Sequence, residues 1–139
     1  MNTRSLSNLS LYLLRLLLQV NFNASVLFVL IVSVFSMAGS ELFFENSEDL
    51  YGPLANNLRF VLLYLCLMQL AVYGFYQFKN NYAGVVCLGA FLLLLIASLE
   101  FYGSVNQIEI DPNYQALFLY AGLSHLLYGG LCILRKSDG

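Results

Sequence analysis

Residues 83–102 read AGVVCLGAFLLLLIASLEFY, twenty consecutive positions in which Glu100 is the only charge. A helix of that length is about 30 Å long, the thickness of the hydrocarbon layer of a bilayer. Three other stretches have the same character: 25–44 (SVLFVLIVSVFSMAGSELFF), 60–78 (FVLLYLCLMQLAVYGFYQF) and 114–134 (YQALFLYAGLSHLLYGGLCIL). The reading is an all-α membrane protein, a four-helix transmembrane bundle over residues 25–134. The connections differ in kind. Residues 45–59 are long and acidic, 79–82 form a tight Lys-Asn-Asn-Tyr turn, and 103–113 are intermediate. Pro53 and Pro112 both fall in connections, where a missing N–H does little harm.

Composition agrees with the solvent that these stretches require. Of 139 residues, 60% are apolar and 10% charged, and the mean hydropathy is +0.74. A soluble domain carries about 45–50% apolar and about 25% charged residues. Six Lys+Arg against eight Asp+Glu provide no basic face for nucleic acid. Cys66, Cys87 and Cys132 form no C-x-x-C pair, which argues against thiol-redox chemistry and a structural zinc site. No metal or cofactor is expected, and no Walker loop, G-x-S-x-G or H-E-x-x-H motif occurs.

The positions of the charges give an orientation. With the N-terminus inside, Arg4, Arg15, Lys79, Arg135 and Lys136 lie on the cytoplasmic side and only Arg59 lies outside. The acids distribute oppositely, Asp138 alone remaining inside. A basic bias of this size sets topology. It predicts four spans with both termini cytoplasmic, in a plasma (bacterial inner) membrane, ending in a cytoplasmic tail at 135–139.

Residues 5–20, SLSNLSLYLLRLLLQV, are apolar but short, and Asn21-Phe22-Asn23 is expected to interrupt them. Arg4, Asn8, Arg15 and Gln19 fall near one helical face. The expectation for 1–24 is therefore an interfacial amphipathic helix on the cytoplasmic side, its arginines facing anionic headgroups.

Polar side chains inside the spans are costly and mark the bundle interior. Gln69 and His125 sit about 13.5 Å and about 15 Å down helices that run in the same direction, so they should meet near mid-membrane. Ser33, Ser36 and Ser124 lie near that level. His125 shares a face with Gly122, Tyr128, Gly129 and Cys132, small residues that let another helix approach, and Gln69 shares one with Leu62, Cys66, Tyr73 and Tyr76. One reading is a narrow pocket for a lipid or quinone headgroup, lined by His125, Gln69, Ser124, Tyr73 and Tyr128. The other is interhelical hydrogen bonding and nothing more. Near the outer surface, Arg59 and Glu100 are placed to form an ion pair. Ala97, Leu93 and Ala90 continue the Glu100 face and predict that it turns toward the bundle. The acidic loop 45–49 reads as solvated.

Four spans in residues 25–136, with Leu58-Arg59-Phe60 opening the second and a compact apolar third, resemble the DoxX-like small membrane proteins. That resemblance implies a four-helix fold and, from the named members, a link to quinone-dependent sulfur oxidation. Glu100-Phe101-Tyr102-Gly103 at the end of the third span is similar to a family of four-span scaffolds for sterol-synthesising enzymes. The expected function is a non-enzymatic accessory or scaffold subunit, or a binder of a small hydrophobic ligand. Its partners would be membrane lipids and a membrane protein complex or a second copy. A membrane enzyme or redox subunit using His125 and Gln69 is the alternative.

Overall fold

A computed structural model of the chain describes residues 3–38, 52–107 and 112–137. Every described segment is helical: α1 (Thr3–Ala38), α2 (Gly52–Lys79), α3 (Tyr82–Asn106) and α4 (Pro112–Ser137). Each helix packs against the next in sequence, and α4 returns against α1. The result is an antiparallel four-helix arrangement in which α3 and α4 make the most extensive contact. Among the described residues, three helical stretches are long and apolar enough to cross a membrane: Ser5–Val34, Tyr82–Asn106 and Gln115–Ser137.

The α3–α4 contact is close because glycines line it. A Cβ on Gly89 would lie 2.8 Å from the His125 Cβ and 2.9 Å from the Gly122 carbonyl oxygen. One on Gly122 would lie 2.7 Å from the Leu93 side chain, and one on Gly129 2.8 Å from Val86. The small residues on the His125 face thus admit α3. Val29, Leu65, Leu88, Leu92, Ile96 and Phe118 fill the space between the four helices with apolar volume.

The turn between α2 and α3 is as short as the sequence predicts. Asn80 adopts a left-handed conformation (φ 52°), which Asn tolerates better than most residues. The Asn81 side chain then accepts a hydrogen bond from the Gly84 N–H at 3.2 Å and caps α3.

At the N-terminus the expected interruption does not occur. Helix α1 is continuous for 36 residues and passes through Asn21-Phe22-Asn23 without a break. Asn21 donates to the Leu17 carbonyl at 2.8 Å and Ser25 to the Phe22 carbonyl at 2.8 Å, bonds that fit within a helix. Phe22 is fully buried and holds the segment in the core. On the face read as pointing to headgroups, Arg15 and Gln19 are half-buried against the bundle and Asn8 is exposed. Asn8, Arg15, Phe22 and Val29 recur every seven residues, the first two lining cavities with α4 and the last two sitting in the core. The leucines at 6, 13 and 17 point outward instead.

The exposed helix faces are rich in large apolar side chains. Phe78, Phe101, Leu94 and Leu134 are largely exposed, whereas Gln69, His125, Ser25 and Ser33 are fully buried. A water-soluble bundle has the opposite distribution.

Candidate functional site

Three helices supply the centre of the molecule. Gln69 comes from the middle of α2 and His125 from the middle of α4, and their side chains meet as their equal depth predicts. The Gln69 Nε2 lies 3.2 Å from the His125 Nε2. The third helix, α1, contributes Ser25 rather than the Ser33 or Ser36 that depth suggests: the Ser25 Oγ lies 3.4 Å from the His125 Nδ1.

The surroundings settle the tautomer. The Nδ1 is 2.7 Å from the Ala121 carbonyl oxygen, one turn earlier on α4, and must carry the proton to make a bond there. The Nε2 is then the acceptor and takes an N–H from the Gln69 amide. Ser25 directs its own proton to the Phe22 carbonyl, leaving its oxygen toward the imidazole. The Gln69 Oε1 is buried and has no hydrogen-bond partner, and the same holds for the Ser33 Oγ.

Aromatic rings close the node on one side. Phe22 presents itself edge-on to the His125 ring at 4.9 Å and stacks on Tyr128 at 4.9 Å. It also meets Tyr76 edge-on at 5.4 Å. The Tyr76 and Tyr128 hydroxyls are 2.5 Å apart, so two phenols that would be costly in a dry interior satisfy each other. The residues flanking Phe22 act as clamps. Tyr120 of α4 donates to the Asn21 Oδ1 at 2.5 Å, and Tyr73 of α2 donates to the Asn23 Oδ1 at 3.4 Å. The tripeptide read as an interruption therefore ties α1 to both neighbours.

Of the residues expected to line a ligand pocket, His125 and Gln69 are in direct contact and fully buried. Tyr128 packs beside them through Phe22, whereas Tyr73 reaches toward α1 instead. Ser124 is buried on α4 but is not among the groups bonded to His125. Sequence reasoning missed Phe22 and Ser25, whereas Tyr76 stands on the Gln69 face where the spacing put it. Phe22 and Ser25 belong to the part of α1 that the hydropathy pattern places outside the bundle or at its edge.

The second expected constellation changes partners. Glu100 is exposed, as are Ala97 and Ala90, so this face of α3 does not turn inward. The buried face runs through Val85, Leu88, Gly89, Leu92 and Ile96, because Gly89 must face α4 and the bulky residues must fill the core. Gln115 of α4 donates its Nε2 hydrogen bond to the Glu100 Oε1. The Arg59 side chain, and with it the proposed ion pair, lies outside the described residues, as do the Ser36 side chain and the acidic loop 45–49.

Two cavities lie near the end of the bundle where α1, the α2–α3 turn and α4 converge. The larger, about 500 Å³, is lined by Arg15, Lys79, Arg135 and Lys136 among others. The second, about 470 Å³, runs between α1 and α4. Compared with known families, curated proteins and solved structures, the chain matches none.

Proposed function

We propose that this chain is a non-enzymatic integral membrane protein, a four-helix transmembrane bundle that serves as an accessory or scaffold subunit of a membrane assembly. The observation that carries this reading is the state of His125. It is the protein's one histidine, it is fully buried, and both ring nitrogens are engaged by Gln69 and by Ala121 with Ser25. A group held this way joins α1, α2 and α4, and is poorly placed to take or give a proton. The apolar exterior supports insertion, and the basic bias supports both termini being cytoplasmic.

Abundance measured against assembly tests the reading. His125→Ala and Gln69→Leu are expected to reduce the amount of protein in membranes. The molecules that remain should still migrate in the same high-mass complex on native gels after mild solubilisation. Normal abundance with a specific biochemical defect would overturn the scaffold reading.

One observation favours a second reading, in which the node binds a lipid or quinone and the chain is a membrane enzyme or redox subunit. The Gln69 Oε1 is a buried acceptor without a donor, and a ligand hydroxyl could supply one. A hydrophobic ligand co-purifying at one per chain, and lost in Gln69→Leu, would support that reading.

A further inference from the structure

Four of the six cations in the chain, drawn from three helices, line one cavity. Lys79 ends α2, and Arg135 and Lys136 lie in the last turn of α4, where helix dipoles favour positive charge. Arg15 has no such local reason. It sits far inside α1, half-buried, on the face turned toward α4. Among the described residues that line the cavity there is no carboxylate to balance these charges, and Asn80 and Tyr82 are its other polar members. Like charges gathered around a hollow repel one another unless an anion enters it.

The second cavity suggests which anion. It shares Arg15, Leu131 and Arg135 with the first and continues between α1 and α4 along Leu11, Tyr12 and Leu134. A cationic chamber opening into an apolar groove has the shape of an amphiphile with a negatively charged head. A soluble phosphate compound would leave the groove unused. We infer that this end of the bundle binds an anionic phospholipid, its phosphate held by Arg15, Arg135 and Lys79 and an acyl chain lying between α1 and α4. The inference rests on the membrane reading above. Arginine is suited to the phosphate because its planar fork donates two parallel hydrogen bonds. The site also gives the buried stripe of α1 a purpose beyond packing, since Arg15 extends that stripe to the headgroup level.

The test uses the full chain in dodecyl maltoside micelles, analysed by native mass spectrometry with equal amounts of phosphatidylglycerol and phosphatidylcholine of matched acyl chains. Phosphatidylglycerol should be retained preferentially. Arg15→Gln with Arg135→Gln should weaken it about twenty-five-fold, at about fivefold per cation, while leaving phosphatidylcholine unchanged. Raising salt to 0.5 M should erode the preference without any mutation, so an ill-folded variant does not stall the test. Equal retention of the two lipids, or no loss in the double variant, would overturn the proposal. Displacement of phosphatidylglycerol by millimolar inorganic phosphate would assign the chamber to a soluble anion and overturn it too. Recovery of the chain in the soluble fraction without detergent would instead refute the membrane reading itself.

Discussion

At the residue scale, the molecule turns on a contact between two side chains that neither helix needs for its own formation. Gln69 and His125 share one hydrogen bond, without which the His125 Nε2 and the Gln69 amide would be left unpaired in an apolar interior. Because the unfolded chain in a membrane also finds partners, the expected coupling is modest. A double-mutant cycle of Gln69→Leu and His125→Leu, read by denaturing-detergent unfolding, should give about 0.6–1.7 kcal/mol. A coupling near zero would mean that the two side chains pack but do not bond. The glycines offer a sharper contrast. Gly89→Ala drives a methyl against the His125 Cβ and the Gly122 carbonyl, neither of which can rotate away, and should cost about 1–3 kcal/mol. Gly130→Ala meets nothing within 4 Å and should be neutral or stabilising by up to about 1 kcal/mol. The Gln69–His125 meeting was legible in the sequence because depth along a helix follows from counting residues. Ser25 and Phe22 were not, because their part in the node depends on where α1 begins and how it is rotated.

At the element scale, what could be read and what could not separate along the same line. The short α2–α3 turn is local chemistry, with Asn80 tolerating positive φ and Asn81 capping the next helix, and it is visible in four residues. Asn81→Ala should therefore cost about 1 kcal/mol, measured by thermal unfolding in detergent, whereas Asn80→Gly should cost little. Equal losses would show that side-chain packing, not backbone geometry, governs the turn. The fate of Asn21-Phe22-Asn23 is not local. Two asparagines around a phenylalanine are poor helix formers, and their propensity argues for a break. The tyrosines that overrule it, Tyr73 and Tyr120, lie on other helices. The same blindness explains Glu100. Alanines on its face suggested close packing, but α3 turns Gly89 to its neighbour instead, and that choice is made by the glycines of α4.

At the scale of the whole molecule, the charges counted in the sequence become a shape. Arg15, Lys79, Arg135 and Lys136 lie far apart along the chain, yet they line one cavity. Four of the five basic residues assigned to one side of a membrane by counting are therefore neighbours in space at one end of the bundle. An antiparallel bundle requires α1 and α4 to cross in opposite directions, and the pairing of Arg15 with Arg135 has this sense. That constrains topology: if the bundle spans a bilayer, residues at the Arg135 end share a side, and the connection between α1 and α2 lies on the other. Single cysteines at Ser47 and Ser137, in a background with Cys66, Cys87 and Cys132 replaced by alanine, put this to measurement. A membrane-impermeant maleimide applied to intact cells should label Ser47→Cys and leave Ser137→Cys unreacted until the membrane is opened. Labelling of both from the same side would mean an odd number of crossings between residues 47 and 137 is wrong, and the four-span arrangement would fall. Labelling of Ser137→Cys alone would keep the bundle but invert it, placing the cationic chamber on the outer leaflet.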